Sequence, residues 1–490
     1  MKFVNVLFVV LLYCTHLSAQ VTLPNNLYFT HIGVEDGLCQ NTVCCILQDH
    51  LGFIWLGTKD GLTRYDGYRF RVFKHDAADP MSIGNNFIRV LYEDADGLIW
   101  IGTNVGVYIY NPETENFRKF DVATERGDVI SREVSSIKCD SSGDLWIGVN
   151  WQGVFRYDRR DESLELYEPV PGDTTSLSSV HVWDLCFDGD GNLWVGSQNG
   201  GLDRYDRETD RFVRHRLKGL SDVSRIVLDK QNQLLLGTMK DGLFSFNPYM
   251  GTCQPLLLDS GHKDLFVRAI FVRNSREVVV GTENGIYIYD CVTRKTRHVN
   301  QELGNPYSLS CKAVYSIYCD KEGALWIGTY FGGVNYLPPS SSLIFDKFYP
   351  IGHSDRLSGK AVREFVRDES GIIWIGTEDQ GLNRFDPVSG KFTHYNSRNS
   401  GLSCDNVHGL CVDGDRLYIG TFFGGFNIMD LKTNEIVALG SQMLPDDSVF
   451  SIFRDHDGRI WVGLTYGLCL FHPEDGSFEL VREIPENLFI

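Results

Sequence analysis

The chain has 490 residues and a formal net charge of −18, with 46 Lys and Arg against 64 Asp and Glu. That balance argues against generic binding to nucleic acid or to an anionic membrane surface. The length leaves room for two large domains, and 49 Gly point to many tight turns.

The first nineteen residues stand apart. Lys2 gives a basic start, Phe3 to Tyr13 is mostly apolar, and Leu17-Ser18-Ala19 ends in small residues. This reads as a secretory signal peptide, residues 1–19, so the mature chain is expected outside the cytoplasm. No later run is long and apolar enough to predict a membrane span. Twelve of the thirteen Cys lie beyond the leader, and their spacing matches no metal-ligand pattern. Cys139, Cys186, Cys319 and Cys411 read as buried apolar fillers. Cys39 and the adjacent Cys44-Cys45 are the best placed for a bridge.

Next comes Leu27-Tyr28-Phe29-Thr30-His31-Ile32, an apolar and β-branched run. After it, one phrase returns along the whole chain. Its clearest copy is Asp94-Ala95-Asp96-Gly97-Leu98-Ile99-Trp100-Ile101-Gly102-Thr103-Asn104-Val105-Gly106-Val107-Tyr108-Ile109. The Gly of its Trp-Ile-Gly-Thr core falls at Gly57, Gly102, Gly148, Gly196, Gly237, Gly281, Gly328, Gly376, Gly420 and Gly463, at intervals of 41 to 48 residues. Ten copies at that spacing mean a repeat architecture.

Each unit holds four short β-branched and aromatic runs bounded by Asp/Gly turns, and no window beyond the leader has helical periodicity. Four strands per unit of this length is a propeller blade. Seven of the nine Trp share one slot: Trp55, Trp100, Trp146, Trp194, Trp326, Trp374 and Trp461. The slot reads as packing between blades, with Leu235, Val279 and Tyr418 as substitutes. The Asp-x-x-Gly phrase lacks the alternating carboxylates of a calcium loop and reads as a turn.

The run at 27–32 resembles the fourth strand of a later unit, Phe392-Thr393-His394-Tyr395. The chain therefore starts out of phase, as propellers do when the last blade borrows its outer strand from the other end of the ring. Seven inner hairpins follow, up to Tyr336-Leu337. Pro338-Pro339-Ser340-Ser341-Ser342 is then the most linker-like run. The expected fold is all-β: a seven-bladed β-propeller over 24–337, followed by three blades of an incomplete second propeller over 343–490, opened by an outer strand at 344–349. The rival is a single ring of ten blades. Because the chain stops after a fourth-strand phrase, the reading makes it the N-terminal part of something longer.

Gly33-Val34-Glu35-Asp36-Gly37-Leu38, then Gly52-Phe53-Ile54-Trp55-Leu56-Gly57-Thr58-Lys59-Asp60-Gly61-Leu62, resembles the start of the sensor region of hybrid two-component systems. The repeats resemble the two-component-regulator propeller repeat over nearly all of the mature chain. The resemblance implies a periplasmic location and two seven-bladed propellers. It also implies a following β-sandwich, membrane helix and histidine kinase, which are absent from this sequence. It implies sensing of glycans or their breakdown products, with an oligosaccharide as ligand and a homodimer through the receptor as partner. No cofactor or metal is expected.

A site is expected where the blades differ. The turn between second and third strands is aromatic in some units: Trp151, Tyr330, Phe331, Phe422, Phe423 and Tyr466. Such faces stack on sugar rings, or pack on neighbouring loops. A second varying slot lies early on each innermost strand: Cys44, Arg89, Ser135, Trp183, Ser224, Arg268, Tyr315, Arg363, His408 and Phe450. Of these, Arg89, Trp183, Arg268, Arg363 and His408 could line the mouth of a central funnel, where Arg would suit a carboxylated or sulfated sugar. The plainer expectation is an Arg salt-bridged to a neighbouring acid. No Gly-x-Ser-x-Gly elbow or His-Glu-x-x-His occurs, and no catalytic residue is assigned. Two other functions remain open: a carbohydrate-active enzyme on a propeller scaffold, such as a lyase or glycosidase, and a scaffold that only binds protein.

Overall fold

A computed structural model describes residues 22–217, 220–257, 265–339, 347–348, 356–439 and 444–481. The expected leader and most of the strand expected at 344–349 lie outside the described residues. Forty strands form ten four-stranded antiparallel sheets, and the described residues otherwise carry one short 3-10 turn, Val34–Asp36. The chain divides between Phe345 and Asp346 into two compact units.

In the first unit, the innermost strands of blades one to seven are Val43–Gln48, Ile88–Glu93, Val134–Cys139, Val182–Phe187, Arg225–Leu228, Val267–Val272 and Val314–Cys319. Each neighbours the next, and the seventh neighbours the first, so the circle is closed. Thr30–Ile32 supplies the outer strand of the seventh blade, pairing antiparallel with Val334–Leu337 in the register Thr30–Tyr336, His31–Asn335, Ile32–Val334. That pairing excludes a single ring of ten blades. The segment ahead of it is also fixed. Leu23 and Phe29 are buried in the core between blades six and seven. The Leu23 N–H reaches both Glu277 carboxylate oxygens, at 3.1 and 3.0 Å.

The second unit is an arc of three blades, with innermost strands Val362–Arg367, Val407–Asp413 and Val449–Arg454. The middle one contacts both others.

The recurring phrase holds blades together through all of its letters. The turn Asp spends one carboxylate oxygen on backbone N–H groups; Asp94 Oδ1 accepts from Asp96 and Leu98. Its other oxygen accepts the indole N–H of the Trp six residues on. These bonds are 2.8 Å for Asp49–Trp55, Asp94–Trp100, Asp188–Trp194, Asp320–Trp326, Asp368–Trp374 and Asp455–Trp461, and 3.2 Å for Asp140–Trp146. The large indole is thus buried with its one donor satisfied. The core Gly gives room for the next blade: a Cβ at Gly102 would lie 2.7 Å from Val134 Cγ1. The final Thr clips the following turn, as Thr103 Oγ1 donates to the Gly106 carbonyl at 2.9 Å.

Candidate functional site

Both varying slots sit at one end of each blade, because the second-to-third turn and the start of the innermost strand share a face. The innermost strand is bulged there. Its register against the second strand slips between Val43 and Cys45, Ile88 and Val90, Val134 and Ser136, Val182 and Asp184, Val267 and Ala269, and Val314 and Ser316. The same slip recurs in the arc, around Arg363, His408 and Phe450. The skipped residue is the varying one. A bulge leaves its residue out of the ladder and re-aims its side chain.

In the ring, these residues meet at the channel mouth. Arg268 lies over the Phe266 ring at 3.8 Å and the Tyr315 ring at 4.6 Å. Phe266 faces Trp183, with ring centres 6.0 Å apart. Arg89 lies 4.1 Å over Phe87. Lys59 lies 4.2 Å over the Tyr330 ring and donates to its hydroxyl at 3.1 Å. Tyr330 in turn packs against Tyr315 and Phe331. Burial pushes the Cys44 thiol up to about 11, against the pull of Arg89, Lys59, Arg268 and Arg225. The indole N–H of Trp183 is buried with no acceptor in reach.

The Arg forks are already engaged. Arg89 donates to Asn104 at 2.7 Å and pairs with Glu133 at 3.0 Å. Arg268 pairs with Glu283 at 2.6 Å, and in the arc Arg363 pairs with Glu378 at 2.6 Å. The plainer expectation for these three residues describes them. Arg225 differs: its guanidinium donates to the Arg268 and Ser224 carbonyls.

Trp151 stands apart from the Arg89–Arg268 group, its ring edge-on to His181 at 4.1 Å. In the arc, Phe422 packs against Phe423, His408 and Phe450. His408 is buried with Nε2 unpartnered, and burial, then Arg363, holds its pKa below the usual range. Tyr466 lies on the arc's third blade. Four turn aromatics are exposed: Trp151 at 66%, Phe331 at 69%, Phe423 at 70% and Tyr466 at 66%. Two of them also hold a left-handed backbone, Trp151 at φ 71° and Phe423 at φ 67°. A bulky residue rarely adopts that conformation.

Sequence reading missed Phe87 and Phe266, the platforms under the Arg, although Phe87-Ile88-Arg89 and Phe266-Val267-Arg268 spell the same phrase twice. It also missed Lys59 and Arg225. The twelve Cys among the described residues are all free thiols. Cys186 and Cys411 are buried as expected of fillers, while Cys139 and Cys319 are only half-buried. The described residues hold no cluster of His, Cys, Asp or Glu suited to a metal, and no helix long and apolar enough to cross a membrane.

Residues 37–60, 82–105, 176–199, 308–331 and 443–466 match the two component regulator propeller model. A 59-residue stretch, 12% of the chain, is 39% identical to histidine kinase P4 of Formosa agariphila and spans 4% of that protein's length. The fold is similar to a crystal structure described as the extracellular domain of a hybrid two component system from B. thetaiotaomicron. The TM-score is 0.65 at 23% identity, covering 94% of this chain and 73% of that one. A second such domain from the same organism gives 0.56 at 19% identity, covering 93% and 67%.

Proposed function

We propose that this chain, built of two-component-regulator propeller repeats, is the periplasmic ligand-sensing region of a hybrid two-component receptor, and that its ligand is a glycan-derived oligosaccharide. The carrying observation is Trp151. It is a large aromatic held at φ 71° on a turn, two-thirds exposed, with the His181 ring edge-on against it. Backbone strain of this kind costs on the order of 1–3 kcal/mol and persists where the side chain is needed in place. Phe423 repeats the arrangement in the arc. An exposed ring face backed by polar neighbours is what a sugar ring stacks on.

The engaged forks of Arg89 and Arg268 shift the expectation for an acidic sugar. Recognition would rest on ring stacking, with Lys59 and Arg225 as cations of the channel mouth for which no carboxylate lies within salt-bridge distance among the described residues.

Calorimetry with neutral and acidic oligosaccharides tests the reading. Trp151→Ala should weaken the binding oligosaccharide about tenfold or more, with a melting temperature close to that of the parent. Unchanged affinity in both Trp151→Ala and the double variant Phe422→Ala, Phe423→Ala sinks the aromatic rim.

A further inference from the structure

The channel mouth of the ring gathers four cations whose partners are unequal. Arg89, Lys59, Arg268 and Arg225 all act on the Cys44 thiol, so they stand round one point. Two of them are paired with acids, Arg89 with Glu133 and Arg268 with Glu283. Lys59 rests on the Tyr330 ring and hydroxyl, and Arg225 on two backbone carbonyls. A chain of formal net charge −18 thus keeps two cations in its central opening with no paired carboxylate among the described residues.

Arg225 owes its place to blade five. It pairs with Gly237, one step below the varying slot, where other blades put Val90, Ser136, Asp184 and Ala269. The acid of this layer is already occupied. Asp184 Oδ1 accepts the Ser136 hydroxyl and the Leu185 N–H, both at 2.9 Å, and Oδ2 accepts the Ile226 N–H at 3.1 Å. Burial holds the Arg225 pKa below the usual guanidinium range, and the attraction of Asp184 only partly offsets it. The slot above carries a small residue, Ser224, whose hydroxyl donates to the Val267 carbonyl at 2.9 Å. Arg225 Nε and Nη1 donate to the Arg268 and Ser224 carbonyls at 2.7 and 2.9 Å. Nη2 has no acceptor among the described residues, and the side chain is partly exposed. The guanidinium is therefore fixed in place with one amino group left over.

We propose that the mouth of the ring channel is an oxyanion site, with Arg225 as its floor and Lys59 at its side, and that a carboxylate or sulfate group of the ligand enters there. This extends the proposed function, and rests on that reading only for the sugar that carries the anion. The groups left over at this point all donate: Arg225 Nη2, the Lys59 ammonium, and the Trp183 indole N–H, which is buried with no partner. An oxyanion brings acceptors alone, and it also supplies the counter-charge that a buried cation lacks.

The test is calorimetry on the intact chain at low salt with glucuronate, glucose 6-sulfate, glucose and inorganic sulfate. At least one acidic sugar should bind saturably at one site, and which one binds tells carboxylate from sulfate. Glucose should bind there about tenfold more weakly or worse, and added sodium chloride should weaken the acids. Arg225→Gln should lower their affinity about tenfold or more, since a charge-assisted hydrogen bond is lost. Lys59→Gln should lower it by a smaller factor, and is the second variant if the first fails to fold. Occupancy should slow alkylation of Cys44 by iodoacetamide, followed by mass spectrometry. Trp151→Ala should leave binding of the acidic monosaccharides intact, so this site and the aromatic rim fail separately. Binding of sulfate without either acidic sugar keeps the oxyanion site and counts against the glycan reading. Absence of saturable binding by all three anions overturns the proposal, as does affinity unchanged in both Arg225→Gln and Lys59→Gln, or glucose bound as tightly as glucuronate and glucose 6-sulfate.

Discussion

The ring and the arc are written in the same phrase, yet they treat its apolar residues differently. In the ring, each blade is covered on both faces. Ile137, Leu185 and Ile226, which look back at the preceding blade, are buried, and so are Trp55, Trp146 and Trp194, which look forward. In the arc, only the middle blade enjoys that. Phe365, the backward-facing residue of the first blade, is exposed, as is Phe453 beside Trp461 on the forward face of the third. Strand pairing and turn capping are unchanged: Asp455 still accepts the Trp461 N–H at 2.8 Å. The hairpin ladder and the Asp–Trp bond are therefore properties of one repeat, while burial belongs to the pair of repeats that meet.

The largest effect expected from this difference comes from cutting the wedge. Trp146→Ala, in a fully covered slot, should cost about 3–5 kcal/mol of unfolding free energy. Trp461→Ala removes the same atoms from a half-covered face and should cost clearly less, about 1–2 kcal/mol. Denaturant titrations of the two variants decide it. Equal losses would mean that the wedge acts within its own blade, and the contrast between ring and arc would fall.

A mid-sized effect concerns one buried carboxylate. On the third strand of blade four, Asp203 accepts the Ser178 N–H and hydroxyl at 2.9 and 2.6 Å, and its other oxygen is buried without a partner. Burial raises its pKa to about 6. Three other blades put Asn there: Asn335, Asn383 and Asn427 accept the backbone N–H groups of Ser310, Ser358 and Ser403. A carboxyl with a folded pKa above its unfolded value favours folding fully below about pH 4, and that contribution is lost as pH rises through about 6. Asp203→Asn should therefore stabilise the ring by about 1–3 kcal/mol at pH 7.5, and the gain should vanish near pH 4. Asn383→Asp in the arc should do the opposite. Melting curves at the two pH values check the sign; a gain that is independent of pH would point to packing instead of ionisation.

Much of this was legible because it is local. The interval of 41 to 48 residues and the Asp/Gly turns act through hairpins, so they read off one dimension, and the out-of-phase start was legible as a shift of phase although its strand pairs with Val334–Leu337 at the far end of the ring. The Asp–Trp bond was written at a fixed spacing of six and still missed, because Asp was assigned to its turn alone. The Arg–Glu pairs were likewise recoverable. Arg268 with Glu283 and Arg363 with Glu378 share one spacing, which the hairpin register folds together. That the Trp slot packs between blades was legible; which partner each slot meets, and which blade face stays uncovered, was not. The packing of Leu235 against Tyr289, fifty-four positions away, is set by blade six, and the exposure of Phe365 and Phe453 depends on what does not cover them. Sequence periodicity says which residues repeat; it does not say which repeats touch.

The smallest expected effect bears on the turn where ring and arc agree. Trp151 and Phe423 both hold a left-handed backbone two residues before a turn Gly, and the fourth blade places Asn199 at the same point with φ 59°. Asn tolerates that region far better than an aromatic. Trp151→Asn relieves about 1 kcal/mol of backbone cost and forfeits the edge contact with His181, worth about the same. The net change should lie within about 1 kcal/mol of zero, and Phe423→Asn in the arc should match it. Paired melting and oligosaccharide-binding measurements separate two accounts of these residues. If stability holds while affinity falls, the aromatic is kept for what it meets in solution. If both variants lose more than about 2 kcal/mol, the rings are part of the packing, and the rim must be sought at the channel mouth around Arg225 and Lys59 instead.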